Sequence, residues 1–337
     1  MNIDGGIGND LTQVPDQAQK AEDAGYDAVW AAETGHDPFF SLLLAAEHTE
    51  RIGLGTAIVV AFARSPMTVA SAGWDLNAYS NGRLLLGLGS QIKPHIEKRY
   101  SMPWSHPAPR MREFISAMRA IWDCWQNGAK LDFRGDFYTH TLMTPFFNPG
   151  PNVSGAPKVY LAAVGETMTR VAGEVADGML VHGFTTERYL RQVTLPAIEA
   201  GLAKSGRSCS DFEISYPAFV VTGDTEEEIA AASAGTRKQI AFYGSTPAYR
   251  PVLDAHGWGD LQPELHTLSK RGEWDQMGDL ISDEVLDAFA VIGSPEDIPH
   301  LLEQRFGDIV DRISLYRPYS LDGRDVTPRI LAGFKNL

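Results

Sequence analysis

The feature that most constrains this chain is a rhythm: short apolar segments alternate with amphipathic ones almost from the first residue. Residues 52–60 are apolar and rich in β-branched side chains with no polar alternation, as a parallel strand covered by helices must be. Residues 84–89 read the same way and are entered through the turn pair Asn81-Gly82. Residues 1–5, 28–32, 159–162, 178–182, 212–221 and 312–315 complete the set of strand candidates. Between them apolar residues recur at helical spacing, as in Phe114, Met118, Ile121 and Trp125 ahead of Gly128. Pro66 suits the first turn of a helix, and Thr225 with Glu228 three residues on forms a capping-box pattern. Ser294 followed by Pro295, Glu296 and Asp297 predicts another helix start.

Eight strand candidates result, none joined to the next by a two-residue hairpin turn. Strict alternation of strand and helix gives a parallel sheet, and eight units in 337 residues favour a closed (β/α)8 TIM barrel over an open sheet. Three stretches break the rhythm. Residues 131–138 read as a small hairpin turning at Arg134-Gly135-Asp136, and 146–157 as a Pro/Gly-rich loop. Residues 240–277, with Tyr243, Tyr249, Trp258 and Trp274 among scattered prolines, read as an insertion capping the C-terminal mouth. The expected organisation is a single domain, 1–337, carrying that cap.

Charge and cysteine content narrow the function classes. Lys and Arg number 29 against 43 Asp and Glu, a formal charge of −14. A nucleic-acid partner, which needs a dense cationic face, is not expected. Cys124 and Cys209 stand 85 positions apart outside any metal-binding or redox spacing. The longest unbroken apolar run, Ala57 to Ala63, is seven residues, far below a membrane span. The opening MNIDGGIGND has no signal-peptide pattern, so a cytoplasmic protein with no membrane association is expected. HExxH, GxSxG and Walker patterns are absent and no His/Cys cluster occurs, so no metal site is expected.

Barrels of this class carry their chemistry on the loops that follow the strands. The loop after the second strand holds Glu33, His36 and Asp37, and histidine is the residue type suited to proton exchange near neutral pH. A simpler role for Glu33, Thr34 or Asp37 is to cap the next helix. The small residues Ala162-Ala163-Val164-Gly165 leave a strand and open a helix, a pattern suited to holding a phosphate on free amide groups and equally suited to close packing.

Five stretches, taken in order, resemble the bacterial-luciferase-like flavin and deazaflavin oxidoreductases: AEDAGYDAVWAAE (21–33), RIGLGTAI (51–58), NGRLLLGLGS (81–90), AGEVADGMLV (172–181) and FAVIGSPEDI (289–298). The stretches ETGHDPFF and QIAFYGSTPAYRPVL resemble the branch that uses the deazaflavin coenzyme F-420, with FMN as the alternative cofactor. The resemblance implies a cis peptide at Ala57-Ile58 behind the cofactor ring, with Thr56, Ala57 and Ile58 as ring contacts and Ser90 as a further cofactor contact. It implies that Ala163, Val164 and Gly165 hold the cofactor phosphate, and that Phe39 walls the substrate. Phe242, Tyr243 and Trp258 from the insertion are expected to line the substrate pocket. Relatives of this kind imply a homodimer or higher homo-oligomer.

The implied activity is hydride transfer between coenzyme F-420 and a small organic substrate, an alcohol or carbonyl compound or an activated C=C, with His36 or Glu33 exchanging the balancing proton. Family members that oxidise alcohols carry an acidic residue and a histidine where this chain has Thr34 and Gly35, so His36 falls one residue late. An anionic cofactor tail needs partners, for which Arg64, Lys93, Lys98, Arg99 and Arg112 are the candidates. Two other readings compete: an FMN-dependent monooxygenase on the same fold, and a barrel that binds a flavin or deazaflavin without turnover.

Overall fold

The structure, a computed structural model, describes residues 1–321 and 325–335. Eight parallel strands close on themselves: β1 (Asn2–Ile7), β2 (Ala28–Ala31), β3 (Gly53–Thr56), β4 (Leu84–Gly89), β5 (Lys158–Ala163), β6 (Gly178–Val181), β7 (Glu213–Thr222) and β8 (Arg312–Tyr316). Neighbours in sequence are neighbours in the barrel, and β8 returns to β1 with Asn2 opposite Arg312 and Asp4 opposite Ser314. This is the expected (β/α)8 barrel. The expected third strand is broken at Thr56, where the cis peptide Ala57-Ile58 displaces the chain before Val59–Val60 pairs with Leu88 and Gly89.

Helices seat their apolar faces on the outside of the barrel. α1 (Val14–Ala24) buries Val14 and Ala18 and ends at Gly25 with φ +90, the left-handed exit that glycine adopts without cost. α2 (Pro38–Glu47) is capped by Asp37, whose side chain accepts from Phe39 N. α3 (Pro66–Tyr79) is capped by Ser65 in the same manner. α4 (Pro107–Asn127) packs Phe114, Met118, Ile121 and Trp125 into the core, as their spacing predicts. α5 (Glu166–Val175) and α6 (Leu195–Ser205) follow β5 and β6. α7 (Glu226–Gly244) is capped by Thr225, which accepts from Glu228 N. The helix expected to open at Pro295 begins three residues later, at Ile298, because Ser294 and Asp297 bond each other in the preceding turn.

The expected boundary of the insertion at residue 240 falls inside α7, which runs unbroken to Gly244. Beyond it the chain forms short helices, among them Arg250–Asp254, Leu261–Arg271, Trp274–Asp279 and Asp283–Phe289. These bury a second core that includes Phe184, Phe219, Leu253, Leu265 and Phe289. The strand Ala290–Gly293 then pairs with residues 219–222, the upper half of β7. No helix of the described residues is long and apolar enough to cross a membrane.

The lower part of the barrel interior is polar. Arg312 donates to both carboxylate oxygens of Asp4, at 2.8 Å each, and Trp30 Nε1 donates to Asp4 as well. Glu213 accepts from Tyr160 Oη and Lys158 Nζ. The Asp4 and Arg312 side chains are 1% and 9% exposed, and burial raises the Asp4 pKa against the opposing pull of Arg312. Breaking such a pair strands a buried charge, at a cost of about 3–5 kcal/mol. Arg312→Met is therefore expected to lower unfolding free energy by about that amount in a urea titration. The double variant Asp4→Leu/Arg312→Met should recover most of the loss, and a double variant no more stable than the single one would refute this account.

Candidate active site

Above the polar layer the barrel opens into a cavity of about 440 Å³, lined by Gly6, Trp30, Ala57, Leu180, Ser215 and Tyr316 among others. Small residues stand where the third and fourth strands approach. A Cβ on Gly87 would lie 1.8 Å from Thr56 O, so no larger residue fits there. A Cβ on Gly6 would meet nothing within 4 Å, which marks Gly6 as bordering open space.

The residues expected to contact a ring divide sharply. Ala57 lines the cavity. Thr56 does not present its side chain: it is fully buried, and its hydroxyl donates to Gly87 O at 2.7 Å, locking β3 to β4. Ile58 is half-buried against the core, tight under Gly89. The Ser90 hydroxyl donates to Gln91 O, its neighbour in the chain.

Neither expected proton carrier stands free at the cavity. Glu33 accepts from Val60 N at 2.8 Å, from Arg64 Nη1 at 2.7 Å and from Tyr100 Oη at 3.1 Å. Its side chain is 6% exposed. With both oxygens engaged, Glu33 is a brace that ties together the loops after β2, β3 and β4. Arg64 also reaches Asp37 at 2.7 Å, so this arginine is held by two carboxylates instead of facing an anionic tail. Arg112 is likewise paired, with Glu174 at 2.8 Å. Lys93 lies 3.8 Å from Glu97, and Arg99 donates to Thr34 O. Lys98 is exposed. His36 is exposed as well and is not among the residues lining the cavity.

The aromatic candidates also separate. Tyr243 meets the cavity wall through a 2.9 Å hydrogen bond to Tyr316 Oη. Phe242 points elsewhere: it is 50% exposed and lines a different cleft with Lys238, Trp274 and Met277. Trp258 is stacked on His256 with ring centroids 4.2 Å apart. Phe39 packs against the main core.

Ala163, Val164 and Gly165 border a narrow second cleft with His182, Thr185 and Tyr249. Gly165 holds φ +77, and α5 begins directly after it without a side-chain cap. A group at that point faces free amide N–H groups and the positive end of the helix dipole. His182, immediately after β6, was not picked out in the sequence, although its place at a strand end marks it. Its Nδ1 accepts from Phe184 N at 3.0 Å, and Nε2 lies 3.1 Å from Tyr249 Oη. The Tyr249 ring stacks on the imidazole at 4.6 Å. Burial pushes the His182 pKa down to about 4.

The parts therefore fit a planar ring joined to an anionic group: an open cavity against Ala57, and an uncapped helix start with the buried hydroxyl of Thr185, unpartnered among the described residues, lining the same cleft. Comparison with known proteins bears on the same point. Residues 2–312 match the family described as Luciferase-like monooxygenase. The chain belongs to that family. It is 59% identical over 313 residues to an uncharacterized protein of Mycobacterium tuberculosis, covering 93% of this chain and 92% of that one. It is 29% identical over 288 residues to 5,10-methylenetetrahydromethanopterin reductase of Archaeoglobus fulgidus, covering 82% and 81%. In fold it is similar to the coenzyme F-420-dependent tetrahydromethanopterin reductase of Methanopyrus kandleri, with a TM-score of 0.77, 21% identity and coverage of 98% and 97%. The chain is thus an enzyme of the luciferase-like superfamily.

The depressed His182 pKa has a measurable consequence. The ordinary value is 6.5 and the folded value about 4, so between these the unfolded chain binds the extra proton. The stability that His182 contributes is complete above pH 6.5 and declines as pH falls toward 4, by on the order of 3 kcal/mol at most. Urea titrations from pH 7 to 4.5 should show wild type losing stability faster than His182→Asn; equal slopes would show that the ring is not held neutral.

Proposed function

We propose that this enzyme binds coenzyme F-420 and uses it to transfer hydride to a small organic substrate, a carbonyl compound or an activated C=C, in the reducing direction. The observation that carries the reading is the pairing of an open cavity against Ala57 with an uncapped helix start at Gly165. A planar ring against Ala57 and a phosphate at Ala163–Gly165 account for both. The names of the reductases above, one of them coenzyme F-420-dependent, support the same choice. The chemistry that the bound coenzyme supplies is two-electron hydride transfer.

The chain's own residues do the positioning. Glu33, Arg64 and Tyr100 brace the loops after β2, β3 and β4, and a ring held rigidly against a bound substrate keeps the reacting carbons in contact. The proton that balances the hydride is assigned to Tyr316, in place of His36 and Glu33. Tyr316 lines the cavity, is stacked on Phe219 at 4.7 Å, and shares a hydrogen bond with Tyr243. Burial, with the Tyr243 hydroxyl second, raises its pKa strongly. Its Oη therefore keeps a proton at neutral pH and is suited to giving it to the more basic oxygen or carbon left by hydride addition.

Titration with coenzyme F-420, followed by its fluorescence, is expected to give saturable binding by the purified protein. Gly6→Val, which puts a branched side chain into the open cavity, should weaken that binding at least tenfold with an unchanged melting temperature. Recovery of FMN in place of the deazaflavin, from protein made in a host that contains both, would overturn the proposal in favour of a flavin-dependent monooxygenase.

A further inference from the structure

The second cleft contains more than the start of α5. Thr185 is 4% exposed and lines the cleft, and its hydroxyl has no hydrogen-bond partner among the described residues. A buried hydroxyl without a partner costs about 1–3 kcal/mol, a cost removed when an acceptor enters the cleft. Across from it stands Tyr249, delivered by the insertion. The Phe184 amide can only donate, so His182 Nδ1 is an acceptor and the neutral ring carries its single hydrogen on Nε2. That hydrogen is directed to Tyr249 Oη, which leaves the tyrosine's own hydrogen free to be donated. The cleft thus holds two hydroxyl donors together with the first amides of a ten-residue helix.

Charge is what the cleft lacks. None of the described residues lining it is Lys or Arg. Glu166, the first residue of α5, is turned to Arg170 in an i,i+4 pair. The imidazole of His182 is neutral at ordinary pH. A helix start is worth about half a positive charge, enough to favour one negative charge but poorly matched to two.

Resting on the cofactor reading above, we infer that Thr185 and Tyr249 complete a phosphate site of uncharged donors that accepts a singly charged phosphodiester, as in coenzyme F-420, over a doubly charged phosphomonoester, as in FMN. Segment 245–254 then serves to close over the cofactor, with His182 as the positioning residue that sets the direction of the Tyr249 hydroxyl.

The experiment is a binding matrix of four ligands: coenzyme F-420, the same deazaflavin without its phosphate, FMN and riboflavin. Wild type, Thr185→Val and Tyr249→Phe are each titrated. In wild type the phosphodiester should raise deazaflavin affinity about a hundredfold or more, while the monoester should raise riboflavin affinity by less than about tenfold, the range of one hydrogen bond to a charged group separating them. FMN binding should also tighten below pH 6, where the monoester dianion takes up one proton and becomes singly charged. Each variant should lose about tenfold for coenzyme F-420 and nothing for the phosphate-free deazaflavin. Thr185→Val removes only an unpartnered hydroxyl, so its melting temperature should not fall, which keeps the test sound if Tyr249→Phe folds poorly. Unchanged coenzyme affinity in Thr185→Val, or an equal gain from monoester and diester, would overturn the inference while leaving the cofactor assignment standing. Absence of any deazaflavin binding by wild type would overturn both.

Discussion

The barrel is closed by a charge pair between its first and last strands. Asp4 and Arg312 meet across 308 residues of sequence, almost without solvent. Because desolvation of two ions is costly, the pair holds only while each partner is fully bonded. Trp30 supplies a further bond to Asp4 and sets its ring edge-on to Tyr160 at 5.7 Å; Tyr160 in turn donates to Glu213. This one layer engages β1, β2, β5, β7 and β8. With the lower interior filled in this way, the volume above it is left to small side chains, and a cavity at the strand ends follows.

The strands were legible because a buried parallel strand shows no polar face, and residues 84–89 and 159–162 read that way without ambiguity. The interior charges were not. Asp4 sits in MNIDGGI, inside the first strand and followed by two glycines; nothing local announces a partner at Arg312. The broken third strand was legible only through the resemblance, since Ile52 to Val60 reads as continuous.

At the strand ends, the loops were legible but the bonds of their side chains were not. Glu33, His36 and Asp37 share one loop, yet the first and last are held by Arg64 from another loop, and only the fold shows that pairing. The aromatic insertion was visible as a composition shift. Which of its rings face inward was not, because Tyr243 and Phe242 are adjacent on one helix and point to different sides: Tyr243 to Tyr316, Phe242 to Trp274 at 6.1 Å. Thr185 carries no sequence signal at all; an unpartnered hydroxyl is a property of surroundings.

The acidic balance of the chain acquires a different meaning in this light. A formal charge of −14 suggested that basic residues must gather at the mouth to hold an anionic cofactor. Instead, Arg64 and Arg112 are bound to carboxylates, and Arg170 answers Glu166 beside the second cleft. Amide and hydroxyl dipoles, fixed by the fold, hold an anion without offering a mobile counter-charge, and they are strongest where water is excluded. An acidic protein can therefore carry an anion at one point of its surface, provided the charge to be held is single and the donors are already aimed. On the proposed reading, that condition ties the phosphate cleft to the insertion that supplies Tyr249 and puts cofactor choice in a segment outside the repeating barrel.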